Sequence, residues 1–454
     1  MNKNNKILQT LLILLIASAT ITTKCLPSEN AKKPLAIGFG ENERYILYNN
    51  GEIHKLLSQN QTEQFSKISF KSEEAESAII DFEIYEENLY LYQYTSLTAT
   101  SGKTTITVYN LTNGEKTYTK TYEFTVTQEN QTQKVIGEMV QAASACKKGF
   151  AVIKANTTHA QIEAYSLEKG KIQLKATYSG RMAMTLHRYG DTIIAATFKI
   201  EIKDNKTWVT PQITDLMENK TLLQLPSLVP VAALAYPFIQ VFNKNGLWES
   251  YVSVYNPTMK RMEYYLAYPE KFQELEGPAK VSPYMDYLIL DQKTGSKITF
   301  KNGQNITVNQ KLSIIPQGAH IPLNPQNGIL DANPTNKTLL AKIVGDDKAK
   351  ILLITEKTTK TIYTLNATKA LKTEGFYAAL TPDTAYIINP EKSELVAISL
   401  ENQEKTNNWP ATLIIAIGFT TIAVTATTAI IIVRRKAKSK QEKGEKSKAK
   451  TPKK

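Results

Sequence analysis

Tyr45-Ile46-Leu47-Tyr48, then Asn49-Asn50-Gly51, then Glu52-Ile53-His54-Lys55-Leu56 reads as strand, turn and strand. Aromatic and β-branched side chains suit a pleated, half-buried surface. The Asn-Gly step is a strong hairpin signal, because a type I′ turn needs positive φ at both central residues. The same rhythm runs from Leu35 to Leu400. Further strand cores are Leu89 to Tyr92, Phe150 to Ile153, Thr192 to Ala196, Phe238 to Phe242, Tyr287 to Leu290, Ile351 to Ile354 and Tyr386 to Ile388. Their starts are spaced by about fifty residues on average. Helical periodicity is scarce, and Ile213 to Leu225 is the one candidate helix. Leu228 to Phe242 is broken by Pro230 and Pro237, so it reads as a lead-in loop and buried strand rather than a membrane span.

A turn signal repeats beside the strands. Val108 to Lys116, Ala164 to Lys171 and Ile289 to Lys297 each read strand, Asx or Ser start, Gly, strand. Val254 to Lys260 and Tyr363 to Lys369 are degenerate copies. The polar start bonds back to its own turn, and Gly takes the left-handed position. Asp291-Gln292-Lys293-Thr294-Gly295 resembles the outer hairpin of PQQ-type and related WD-like propeller repeats, whose turn reads Asp-x-x-Thr-Gly. The Trp that usually follows is absent, and Phe300 comes a few residues late. A strand-only unit of this length, with that resemblance, implies an all-β propeller over 35–400. Seven blades are expected, with eight the next count; tandem β-sandwiches are the alternative.

The ends read differently. Residues 1–19 carry Lys3 and Lys6, an apolar stretch from Ile7 to Ile16 and Ala17-Ser18-Ala19, the pattern of a secretory signal peptide. Residues 20–34 form an N-terminal arm and 401–408 a short linker. Trp409 to Val433 contains no charged residue, and its 25 positions cover roughly 37 Å as a helix, enough to span a bilayer core. Arg434, Arg435 and Lys436 follow at once. The positive-inside rule then places the tail, 434–454, in the cytoplasm and 20–408 outside, as a type I single-pass cell-membrane protein.

Charge follows the same division. The 454-residue chain has 55 Lys and Arg against 42 Asp and Glu, a net +13. The tail alone has 11 basic and 2 acidic residues, so it carries +9, and the signal carries +2. Thr20 to Val433 is left with +2, which argues against a nucleic-acid-binding body. The tail is expected to be disordered and to meet anionic lipid headgroups.

Nine Asn-x-Thr sequons lie between the ends: Asn60, Asn110, Asn130, Asn156, Asn205, Asn219, Asn305, Asn336 and Asn366. Asn256 is excluded by Pro257. Nine sequons in one secreted segment imply N-linked sugar on many surface loops. All nine use Thr. With 2 Cys, 23 Tyr and many Lys and Ile, this composition resembles surface glycoproteins of thermophilic archaea.

Candidate chemistry is sparse. No nucleophile elbow, phosphate loop, zincin motif or Cys-x-x-Cys is present. His54, His159, His187 and His320 share no ligand spacing. Glu73, Glu74, Glu76, Asp81, Glu83, Glu86 and Glu87 fit no Ca²⁺ loop, and alternation around Ile80, Phe82 and Ile84 predicts a strand with a charged outer face. Cys25 and Cys146 lie in the mature extracytoplasmic chain. They either form a bridge closing a loop of about 120 residues or remain one buried and one mobile thiol. No catalytic, cofactor or metal residues are assigned. The expected function is a non-enzymatic, glycosylated interaction platform held close to the membrane, with a protein partner at or near its surface. The alternatives are a quinoprotein-like dehydrogenase, implied by the repeat resemblance, and a solute-binding receptor for a transporter.

Overall fold

Short runs such as Arg44–Tyr48 and Gly149–Ala155 are almost wholly buried, and each is bounded by a tight turn. That combination makes strands that are covered on both faces. In a computed structural model of the chain, the described residues are 32–400 apart from 70–77, 99, 130–131, 181–184, 204–205, 226–237, 257–258, 268–271, 315–326, 346–347, 367–376 and 390–391. They contain strands and turns and no helix. The signal, most of the arm, the linker, Trp409–Val433 and the basic tail lie outside them. No helix among the described residues is long and apolar enough to cross a membrane.

Hydrogen bonding groups the strands into seven sheets. One has nine strands, but it divides in the middle, where a single parallel pair, Phe39 with Glu83, joins two antiparallel meanders. The described residues therefore fall into eight sheet units, here units 1 to 8: 34–67, 78–137, 139–180, 185–224, 238–275, 279–308, 313–366 and 378–399, all antiparallel meanders except that the short first strand of unit 7, Ser313–Ile314, pairs parallel with the next. Eight units replace the expected seven. Most have four strands in sequence order, and unit 8 has three among the described residues.

Packing joins the units into a circuit. Tyr45 and Leu47 of unit 1 cluster with Phe82 and Leu91 of unit 2. Tyr90 and Tyr92 continue to Phe150 and Tyr165 of unit 3, whose rings stack at 4.5 Å. Ile153 meets Ile193 of unit 4. Ile194, Phe242 and Leu288 link units 4, 5 and 6. Ile298 and Leu339 link units 6 and 7, and Ile351 and Ile387 link units 7 and 8. Ile37 and Ile46 of unit 1 then pack on Ala379 and Tyr386 of unit 8. First strands of neighbouring units lie against one another, as with Met139–Cys146 and Thr185–Tyr189. No sheet closes on itself among the described residues; the circuit closes through side chains. This is a propeller-like, all-β arrangement, in which most units meet a different neighbour on each face. Tandem sandwiches would instead pair each sheet with one partner.

Three local readings change. The candidate helix over 213–225 is two strands, Lys206–Asp215 and Lys220–Gln224, joined by a tight turn. Asp215 Oδ1 accepts the backbone N–H groups of Met217 and Glu218 at 2.9 and 3.0 Å, and Asn219 takes φ +51°. An aspartate that captures its own following amides makes a turn, not a helical turn. The turn at Asn49-Asn50-Gly51 is not type I′. Only Gly51 has positive φ, +80°, and its N–H donates to Tyr48 O at 3.0 Å, the geometry of a type I turn with a left-handed glycine. The repeated hairpins also fall at different places. Val108–Lys116 and Ala164–Lys171 join third and fourth strands, whereas Val254–Lys260 and Ile289–Lys297 join second and third.

Candidate functional site

The inner ends of the first strands carry a buried polar cluster that links seven of the eight units. Leu186-His187-Arg188-Tyr189 ends the first strand of unit 4. Arg188 donates to Gly40 O and Glu41 O of unit 1, both at 3.1 Å, and to the Tyr85 hydroxyl of unit 2 at 2.5 Å. Its guanidinium lies over the rings of Tyr85 and Tyr284, 4.9 and 5.1 Å from their centroids. Its backbone N–H donates to Pro283 O of unit 6 at 2.7 Å.

Glu83 is the acidic centre. It lies in Ala78–Tyr85, the first strand of unit 2, and is 1% exposed. Its carboxylate accepts the N–H of Ala145 in unit 3 at 2.5 Å, the Tyr92 hydroxyl at 3.0 Å and the Tyr284 hydroxyl of unit 6 at 3.1 Å. Burial pushes its pKa up to about 7, against the opposing pull of the Ala145 N–H, Arg188 and the tyrosines. Beside it, Arg44 of unit 1 makes a two-pronged pair with Asp331 of unit 7, both distances 3.0 Å. Asp331 also accepts Leu380 N–H of unit 8 at 2.8 Å. Phe39 sits under the Arg44 guanidinium and 5.4 Å from the Tyr284 ring.

Donors and acceptors here are matched to one another across unit boundaries. The arrangement is that of a tie around the axis, with one carboxyl able to titrate near neutrality. Among the described residues, no group of three or more His, Cys, Asp or Glu is placed to hold a metal ion.

The acidic run of the sequence splits. Glu86 and Glu87 are exposed in the turn after this strand, but Asp81 and Glu83 are buried at 3% and 1%. The predicted charged outer face is therefore wrong for this strand. A first strand is covered by neighbours on both sides, and its carboxylates survive burial only because other units supply donors. Glu73, Glu74 and Glu76 lie outside the described residues. His187 is buried, with Nδ1 3.2 Å from Ser282 O; His54 is part-buried beside Glu52 and Lys32, His159 is exposed, and His320 lies outside. Arg44, Arg188, Tyr284 and Asp331 were not singled out in sequence. Their signal is a charged or polar residue inside an apolar strand run, as in Leu330-Asp331-Ala332.

Cys146 ends the first strand of unit 3, fully buried, and Cys25 lies outside the described residues. The sequon asparagines Asn60, Asn110, Asn156, Asn219, Asn305 and Asn336 all sit at turns or strand ends and are half-buried or exposed. Asn366 ends its strand, while Asn130 and Asn205 lie outside. Arg434, Arg435 and Lys436 lie outside as well.

No model of a known protein family matches the chain, and no curated protein matches it by sequence. Solved structures similar to it include propellers. The Dos1 propeller is 12% identical, with a TM-score of 0.41, over 75% of this chain and 83% of that one. The β-propeller domain of the Trilobed protease from Pyrococcus furiosus is 11% identical, with a TM-score of 0.38, over 71% of this chain and 95% of that one. The Pyrococcus horikoshii acylaminoacyl peptidase is 12% identical, with a TM-score of 0.39, over 72% of this chain but only 52% of that one. The class that the strand order and packing themselves define is a propeller-like all-β protein, and that class hosts many unrelated functions.

Proposed function

We propose that the protein is a type I single-pass membrane glycoprotein of the cell surface, whose propeller-like ectodomain is a non-enzymatic interaction platform. The sequence at both ends supports the topology. One structural observation carries the rest: every sequon asparagine whose side chain is described stands at a turn or strand end and none is buried. A chain with sequons arising by chance would place some of them inside strands, facing the core. The polar tie around the axis supports a rigid body that presents loops at both ends. Its partner is a protein in or near the bilayer, because only Glu401–Asn408 separates Leu400 from Trp409. Co-purification from native membranes in mild detergent, with mass spectrometry of the sequon peptides, tests this reading. Expected are glycosylated asparagines and a membrane-resident partner. Bare asparagines together with release of the chain by alkaline carbonate would overturn it. A quinone absorbance band in the pure protein would instead favour the dehydrogenase reading.

A further inference from the structure

The circuit closes between units 8 and 1, and a polar triad stands on that seam. Tyr48 of unit 1 shares an apolar cluster with Tyr386, Leu395 and Ala397 of unit 8. The Lys32 ammonium lies over the Tyr48 ring, 4.3 Å from its centroid. The His54 imidazole meets the same ring edge-on at 5.1 Å. Lys32 precedes the first strand of unit 1, Pro34–Phe39, and His54 lies in the third, Glu52–Leu56.

Lys32 Nζ is 2.7 Å from both Glu52 Oε2 and His54 Nε2. An ammonium has donors and no acceptor, so the imidazole nitrogen it meets is bare and the ring proton is on Nδ1. Nδ1 is buried and finds no partner among the described residues. Glu52 Oε2 is 3.3 Å from the same Nε2, so Lys32 bridges two acceptors. Behind it, Lys33 N–H donates to Asn49 Oδ1 at 2.8 Å, and Asn49 N–H donates to Lys33 O at 2.9 Å. These two bonds tie the entry of the first strand to the turn after the second.

A proton on His54 reverses the arrangement. Nε2 becomes a donor facing a second donor, and its nearest acceptor is the Glu52 oxygen that holds Lys32. Imidazolium and ammonium then compete for one carboxylate. Among the described residues, the other neighbours are Ile46 and Gln64, opposite His54 in the sheet, and Tyr386, Leu395 and Ala397 across the seam. Lys392 and Glu394 of unit 8 pair with each other at 3.7 Å. Burial, with Lys32, holds the His54 pKa below its ordinary 6.5, against the pull of Glu52. Lys32 holds the Glu52 carboxyl below its ordinary 4.5, against burial. The closed triad therefore binds a proton on His54 less tightly than an opened one. Its contribution is complete above pH 6.5 and is lost as pH falls.

We infer that Lys32, Glu52 and His54 form an acid-released latch on the seam between units 1 and 8. At neutral pH the latch pins the entry of the first strand against the face of unit 1 that meets unit 8. In acid, His54 takes Glu52 and Lys32 is set free, which loosens the place where the circuit closes. Glu83 responds with the opposite sign, so the latch is read locally and not from global stability.

The test is amide hydrogen exchange of the full chain in mild detergent, corrected for the intrinsic pH dependence of exchange. The amides of Lys33 and Asn49 report the latch, and that of Leu216, bonded to Ile193 O in unit 4, is the control. Expected is an opening of Lys33 and Asn49 that increases by up to about tenfold per pH unit below pH 6.5, with Leu216 not rising. In His54→Gln, which cannot titrate, the increase should vanish. An equal increase in His54→Gln, or none in the parent chain, would overturn the latch. A parallel rise at Leu216 would place the effect in the whole body and overturn it too. A second measurement keeps the test independent of that variant: in Lys32→Met, the His54 titration followed by NMR should move up toward 6.5. An unmoved titration would show that Lys32 does not act on His54.

Discussion

Arg44 and Asp331, 287 residues apart, close on each other through two N–O contacts of 3.0 Å, joining unit 1 to unit 7. Burial works against the Arg44 charge, but Asp331 outweighs it and holds the guanidinium above its ordinary pKa. Asp331→Ala would leave a buried cation and the Leu380 N–H without their acceptor. Removing one partner of a buried pair costs about 3–5 kcal/mol. Chemical denaturation should show an unfolding free energy lowered by that amount. Replacing both partners with apolar residues (Arg44→Met with Asp331→Leu) should recover part of it, because no charge is then stranded. A double variant no more stable than Asp331→Ala would show that the pair acts through something other than its buried charge.

Glu83 supplies a pH dependence of a definite sign. Its pKa in the folded protein is about 7, against an ordinary value of 4.5, with burial as the main cause. The folded state therefore holds the proton more tightly than the unfolded chain. The associated stability is complete below pH 4.5 and is lost as pH rises to 7, amounting to about 3 kcal/mol. Glu83→Gln, which cannot titrate, should flatten this part of the profile. Parallel thermal melts across that window decide it: equal slopes in the two proteins would remove Glu83 as the source.

The architecture was legible because strand chemistry is local. Each of the eight strand cores that begin at Tyr45, Leu89, Phe150, Thr192, Phe238, Tyr287, Ile351 and Tyr386 falls in a different unit. The mean spacing near fifty hid that count, because unit 2 is long and unit 8 has three described strands. The polar tie was not legible. Asp81 and Glu83 alternate with Phe82 and Ile84 as a solvent-facing set would. Their burial depends on Ala145, Arg188 and Tyr284, which lie tens to hundreds of residues away, and no local pattern announces a donor at that distance. The turn at Asp215 was missed for a different reason. Ile213 to Leu225 has helical spacing, and a side chain that caps its own turn overrides it.

Cys146 should be silent in the native protein. It is fully buried in the cluster between units 3 and 4, and burial pushes its pKa up to about 12, against the backbone N–H groups of Lys148 and Gly149. The thiolate that reacts is almost absent at neutral pH. A disulfide to Cys25 would have to thread the N-terminal arm into that apolar cluster. Thiol titration should therefore find Cys146 unreactive when folded, and two thiols once the unreduced protein is denatured. Absence of any thiol after denaturation would establish the bridge instead.

Glycan occupancy should differ between sequons in a way the side chains set. A glycan needs the asparagine Nδ2 turned to solvent. In Asn110 and Asn156 the side-chain oxygen is engaged by the following backbone N–H groups, at 2.9 Å from Thr112 and 2.8 Å from Thr158, which leaves the nitrogen pointing away. In Asn336 the nitrogen itself donates to Pro382 O in the next unit. Asn110 and Asn156 should be well occupied and Asn336 the least occupied of the three. Site-resolved mass spectrometry of the membrane-purified protein measures this directly. Full occupancy at Asn336 would mean that its contact with Pro382 opens before or during modification.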